Sequence, residues 1–265
     1  MTETRTIVLM TDFGLEDTFV GQMKGVIRSI APATMIIDLT HAVSPRNIAQ
    51  GAFLLNKSLP YFPAGSIFVT VIDPGVGTSR RAIAVETAKH IFVSPDNGLL
   101  SPILQHEEIV RCVQISESRF MLPASSSTFH GRDLFSPVAA RLAAGIPVAE
   151  IGRTIEAEEC IRKDPPVCRL SADGKSWEGM VIYADHFGNL VTSIETGTIA
   201  EPERWEVECG NMGPMPLSLT YGSVPDGAPL AYRGSSGTVE IGLRNANAAS
   251  SIGLQPGDIV RLKRK

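Results

Sequence analysis

The hydrophobic pattern of the chain changes character once, near Pro165-Pro166, and that change constrains the fold more than any single motif. Before it, strand-like apolar runs alternate with segments of helical period. TIVLMTD reads as a first strand, and Thr18 to Ser29 reads as a helix with Phe19, Met23, Val26 and Ile27 on one face. MIIDLT is a second strand, NIAQGAFLLNKSLPYF a helix broken by Pro60, and SIFVTVID a third strand. AIAVET and HIFVSPDNG form a hairpin-like pair, and DLFSPVAARLAAG is a helix closed by a glycine. This order predicts an α/β domain, a mostly parallel sheet covered by helices, over residues 1–164.

Residues 165–178 read as a linker. From Gly179 onward the chain offers MVIYAD, LVTSI, WEVECG, PLAYR, TVEIGL and DIVRLKRK, separated by Gly, Pro and Asn and without helical period. Residues 179–265 are therefore expected to form an all-β, barrel-like domain. Two domains suit 265 residues, and a net charge of -4 without a long basic run argues against a nucleic-acid partner. The apolar run at Ile7 to Met10 is too short for a signal segment or a membrane span. Cys112, Cys160, Cys168 and Cys209 are widely spaced, which suggests neither a zinc knot nor a disulfide framework and points to a reducing cytoplasm.

Several motifs lose their obvious meaning in context. TDFG carries the letters of the kinase metal-binding motif, but only ten residues precede it. GVGTSRR lacks the G-K-[ST] ending of a phosphate loop, and no G-x-G-x-x-G follows the first strand. Asn56-Lys57-Ser58 has the form of a glycosylation acceptor and falls in a helix.

What remains is a set of polar residues where strands stop, the place where ligands collect in open α/β sheets. Asp12 follows the first strand, Asp38 and His41 the second, Asp73 the third, and SPDNG, with Asn97, a later one. Asp73 in DPGVG is equally suited to a turn. His130 in TFHGRD is a candidate general base or a structural histidine, and Asp133 is first a helix-dipole acid. Asp185, His186 and Asn189 in YADHFGN can build an Asx turn or a site.

Taken in order, TDFGLED, DPGVGTSRR, SPDNGLL, FHGRDLFSPVAA, DHFGN and the Asn-Ala-Ala-Ser near the C-terminus resemble the S-adenosyl-L-methionine (SAM) hydroxide adenosyltransferases, a former domain of unknown function related to the fluorinases and chlorinases. The resemblance spans essentially the whole chain. It implies cleavage of SAM by water into adenosine and L-methionine, and homotrimers with sites between neighbouring subunits. By motif position, Asp73, Arg80 and His130 correspond to the water-activating triad and Asp12 to the ribose-binding acid. Asp17 and Asp185 match positions near the methionine amino group, Asn189 and the backbone around Ala248 the adenine-binding positions, and Ser235 a methionine-contacting serine. Asn97 and Ser236 complete the expected substrate-binding set. Ser236 departs from the halogenating relatives, which have there an arginine that helps hold the substrate carboxylate.

The implied chemistry is consistent with these residue types. Attack at ribose C5′ expels a neutral thioether from a sulfonium, so only the nucleophile needs assistance. Water has a pKa near about 15.7, and a carboxylate, a guanidinium and an imidazole together can take its proton or stabilise hydroxide. No metal-ligand spacing is present, so no metal or cofactor is expected. Two rivals stand beside hydrolysis: halide transfer to SAM, disfavoured by an anionic Asp73 at the reaction centre, and a binding module that senses SAM or adenosine without turnover.

Overall fold

The computed structural model describes residues 5–123, 127–199, 201, 204–210, 212–218 and 220–265. The chain divides into two compact units, Met1–Pro165 and Pro166–Lys265.

In the first unit the strands are β1 (Ile7–Thr11), β2 (Ile36–Thr40), β3 (Ile67–Val71), β4 (Ala82–Thr87), β5 (Ile91–Pro95), β6 (Ile109–Ile115) and β7 (Gly152–Ile155). They form one sheet in the order β2-β1-β3-β5-β4-β6-β7. Pairing is parallel from β2 to β5 and antiparallel from β5 to β7. β1, β3 and β5 are buried throughout, which is why their sequences are continuous apolar runs rather than alternating ones.

Helices cover both faces. Ile7 and Leu9 face one side, with Met23 and Ile27 of α1 (Phe19–Ile30) and Val138 and Leu142 of α4 (Ser136–Ala143). Val8 and Met10 face the other, with Leu55 of α2 (Ile48–Ser58) and Ile103 and Leu104 of α3 (Ser101–His106). The period of two along the strands thus divides one core into two. On α1 the buried residues are Val20, Met23 and Ile27, while Phe19, expected on the buried face, is 41% exposed. Asn47 caps α2 by accepting from the Gln50 amide, and a single 3-10 turn at Leu59–Tyr61 carries Pro60. The helix read from DLFSPVAARLAAG opens as a π-helical turn, Gly131–Phe135, before α4.

The second unit contains β8 (Cys168–Leu170), β9 (Ser176–Ala184), β10 (Leu190–Glu195), β11 (Trp205–Cys209), β12 (Met212–Ser218), β13 (Pro229–Arg233), β14 (Thr238–Leu243), the short α5 (Ala248–Ile252) and β15 (Ile259–Arg264). The strands run in the order β10-β14-β13-β12-β11-β15-β9, and β9 pairs again with β10 to close a seven-stranded barrel. The first half of β9 pairs β15 on one side and β8 on the other, and its second half pairs β10. Val181, Ile194, Val207, Leu217, Val239 and Ile241 fill the interior. The stretch expected as a linker, 165–178, therefore carries β8 and the start of β9. Its polar sequence is that of exposed strand residues: Cys168, Arg169 and Leu170 are all solvent-facing.

Among the described residues no helix is long and apolar enough to cross a membrane, and no three His, Cys, Asp or Glu side chains are grouped to hold a metal. The four cysteines are free.

Candidate functional site

β3 delivers Asp73 two residues past its last paired position. The loop that follows folds back on itself: the Val76 amide donates to the Asp73 carbonyl at 3.2 Å, and the Thr78 amide and hydroxyl donate to the Gly75 carbonyl at 3.1 and 2.7 Å. Arg80 is thereby returned to Asp73. Its Nε lies 3.0 Å from both carboxylate oxygens, and its Nη2 donates to Oδ2 as well. The pair is nearly dry, with side-chain exposures of 9% for Arg80 and 4% for Asp73.

His130 joins this pair from the residue preceding the π-helical turn, a local widening of the helix often found at functional positions. Its Nδ1 lies 2.6 Å from Arg80 Nη2. A guanidinium donates and never accepts, so Nδ1 presents its lone pair and the ring is neutral with its proton on Nε2. Burial, reinforced by the Arg80 charge and partly offset by Asp73 and Asp133, holds His130 below the ordinary imidazole range. Phe135 on the same turn lies under both groups, 5.4 Å from the Arg80 guanidinium carbon and 6.5 Å from the imidazole centre. A loop-linked pair and a residue 50 positions further on thus meet, with Asp73 as acceptor, Arg80 as fixed cation and His130 as an N–H donor. The proton-accepting role considered for His130 does not suit this tautomer.

The other strand-end residues of this unit occupy separate posts. Asp12, just beyond β1, accepts from the Arg46 amide at 2.8 Å, and Arg46 adopts a left-handed backbone with φ 65°. The loop carrying Asp12 is fastened to the end of β2: Thr11 Oγ1 lies 2.8 Å from His41 Nδ1, and the Gly14 amide donates to the His41 carbonyl at 2.8 Å. Asp38 lies inside β2 rather than after it, paired with Lys24 at 2.6 Å. Asn97 bridges two strand ends, since its Nδ2 donates at 2.8 Å to the carbonyl of Ile72, the residue before Asp73. Asp17 is exposed between β1 and α1. Asp133, expected to complement a helix dipole, is buried and held by Arg132 at 2.6 and 2.9 Å.

In the second unit, Asp185 organises the connection from β9 to β10. Its Oδ1 accepts from the amides of Phe187 and Asn189 at 2.9 and 2.8 Å, and its Oδ2 accepts from the Asn189 side chain at 2.9 Å. The Asx turn is therefore present, and Asn189 is buried in it. Gly188 sits at φ 85°, and a Cβ there would overlap the Asn247 side chain, so only glycine fits. Asn247 caps α5, whose first residue is the buried Ala248, and the Ala249 amide donates to the Gly188 carbonyl at 2.8 Å. This brings Asp185, Asn189 and Ala248 into one neighbourhood. Ser235 is exposed in the turn between β13 and β14, and Ser236 beside it donates to Glu240 at 3.3 Å.

Sequence reasoning passed over Glu240, Tyr232 and Tyr221. Glu240 is only 7% exposed and accepts from Tyr232 at 2.7 Å, while Tyr221 lies 3.2 Å from Asn189 Oδ1 and 2.7 Å from the Leu243 carbonyl. The available signal was an acid in the middle of TVEIGL, a strand buried along its whole length.

Residues 7–152 match the SAM hydroxide adenosyltransferase N-terminal domain, and residues 179–261 match the C-terminal domain of the same name. The chain is 40% identical over 263 residues to an (R)-S-adenosyl-L-methionine hydrolase of Salinispora tropica, covering 99% of each chain. It is 36% identical to a hydrolase of that name from Thermus thermophilus, covering 97% of this chain and 99% of the other. A fluorinase of Actinopolyspora mzabensis is 28% identical, with 97% of each covered. Among solved structures, an uncharacterised conserved protein of Thermotoga maritima superposes with a TM-score of 0.88 at 30% identity, covering 97% of this chain and all of the other. Strand-end acids, the Asp73–Arg80–His130 contact and two domains matched in order all lead to one assignment: the chain belongs to the SAM hydroxide adenosyltransferase family.

Proposed function

We propose that the protein hydrolyses S-adenosyl-L-methionine to adenosine and L-methionine by in-line attack of water or hydroxide on ribose C5′. The observation that carries this reading is the nearly dry contact of Asp73, Arg80 and His130. Asp73 accepts the proton of the nucleophile, His130 orients it through Nε2–H, and Arg80 fixes both partners and supplies positive charge where an oxyanion forms. The forming bond is oxygen to C5′ and the breaking bond is C5′ to sulfur. The bonding pair leaves with methionine as a neutral thioether, so no acid, metal or cofactor is required.

Asp12 is assigned to the ribose, Asp17 and Asp185 to the amino group, Asn189 and the backbone at Ala248 to adenine, and Ser235 and Ser236 to the methionine part. Asn97 holds the end of β3 on which Asp73 stands. A homotrimer in which neighbouring subunits share sites belongs to the same proposal. The names of the curated hydrolase relatives support the substrate and the reaction.

The test is chromatography of SAM incubated with purified protein, with and without fluoride or chloride. Adenosine and methionine in equal amounts, at a rate unchanged by a chelator, are expected. A 5′-halo-adenosine as main product would make the protein a halide transferase, and intact SAM with measurable binding would make it a sensor.

A further inference from the structure

One row of cross-strand neighbours runs over the barrel on the side away from its core. Tyr183 of β9 stands opposite Val191 of β10, Val191 opposite Glu240 of β14, and Glu240 opposite Tyr232 of β13. Val239 and Ile241 on β14 point into the core, so Glu240 between them points out of it. It is nevertheless buried. Tyr232 donates to its Oε2 at 2.7 Å and Ser236 to its Oε1 at 3.3 Å. The turn at 234–237 closes over the carboxylate because residue 234 has no side chain: a Cβ on Gly234 would overlap the Glu240 carboxyl group. Burial, together with the charge of Asp185, raises the Glu240 carboxyl above its usual range. Burial and the same two acids push Tyr183 up to about 12.

The two arginines that flank these strands are directed elsewhere. Arg233, at the end of β13, donates to the Ile199 carbonyl, and Arg244, just past β14, donates to the Val224 carbonyl and pairs with Asp226 at 3.0 Å. The Ser236 hydroxyl is engaged within its own turn, 3.2 Å from Thr238 Oγ1 and 3.3 Å from Glu240 Oε1.

We propose that Glu240 is a positioning residue for the amino-acid end of the substrate: it holds the Ser235-Ser236 turn through Ser236, so that this face recognises the ammonium group and leaves the carboxylate without a cationic clamp. The inference rests on the reading that this turn meets the methionine part of SAM. Two carboxylates repel a third anion and attract an ammonium, and the tyrosine rings beside them favour a cation over an anion. The chemical class accepted is therefore an adenosyl sulfonium bearing a primary amine, with or without the carboxyl group.

The experiment compares three substrates with the full-length protein: SAM, its decarboxylated analogue and its deaminated analogue. The decarboxylated compound should keep kcat/KM within about tenfold of SAM, and the deaminated compound should lose about a hundredfold. Glu240→Gln, nearly isosteric, should raise KM for SAM by about tenfold with kcat within about twofold, and should leave kcat/KM for the deaminated compound unchanged. A purely structural role would lower both substrates alike. Equal losses on both in a variant that keeps the wild-type fold overturn the inference, and a decarboxylated compound that is the poorest of the three in the wild-type protein overturns it whatever the variant does. Failure of the wild type to cleave SAM itself is a separate result, which overturns the parent reading and this one with it.

Discussion

Asp73→Asn tests the contact on which the proposed chemistry depends. The side chain is 4% exposed and faces an arginine that is 9% exposed, with Nε and Nη2 of Arg80 both donating to it. Asparagine keeps one acceptor oxygen but turns an NH2 toward the guanidinium, leaving a nearly buried cation without its counter-charge. Breaking a buried pair in this way costs about 3–5 kcal/mol. At roughly 2–4 °C per kcal/mol, the melting midpoint of the first unit should fall by roughly 6–20 °C. Turnover should fall by about 10²–10⁴ through loss of the proton acceptor, with a much smaller change in SAM binding. Adding Arg80→Met removes the stranded charge, so the double variant should regain most of the midpoint but none of the activity. Calorimetry and an adenosine assay read the two effects separately. Wild-type turnover in Asp73→Asn would remove that residue from the mechanism, and an unchanged midpoint would refute the electrostatic account of the pair.

Three further outcomes follow from other parts of the molecule. Protonating His130 puts a hydrogen on Nδ1 against Arg80, so kcat should fall in acid, with a midpoint below the ordinary imidazole value; an acid limb centred at or above that value would contradict this. His90 is buried among Phe68 and Phe92, and burial lowers its folded value. The unfolded chain therefore takes up protons first, and stability complete above about 6.5 is lost as pH falls toward the folded value. His90→Phe should make the melting midpoint less sensitive to acid, as a pH series of scans would reveal. If neighbouring subunits of a homotrimer share sites as proposed, co-expressed Asp73→Asn and Asn189→Ala chains should recover activity that neither parent has. Mixed trimers identified by mass that stay inactive would place each site within one chain.

The elements whose periodicity stands out in the sequence, β1, β3, β5 and α1, are those buried on both faces or along one clear stripe. β8 was lost in a presumed linker because an exposed three-residue strand has no apolar alternation to show. The π-helical turn was equally hidden, since GRDLFSPVAA has an ordinary helical pattern. Asp73 and Arg80 were legible as a pair because one tight loop separates them. Their contact with His130 spans 50 residues, so spacing could not show it, and only the resemblance of the motifs grouped the three. Glu240 escaped for a different reason: a strand pattern reports which residues are buried, and not which buried acid has its own donors.

The two units differ in how their sheets end. Closure of β9 on β10 leaves the barrel ring without a free margin, whereas the first unit's sheet terminates at β2 and β7. A terminal strand is a template on which another chain can add. Asp38 stands in the middle of β2, bonded to Lys24 of α1, with the two side chains 38% and 35% exposed. An incoming strand would have to strip water from both charges at the centre of the template, which makes this ion pair a barrier to aggregation at β2.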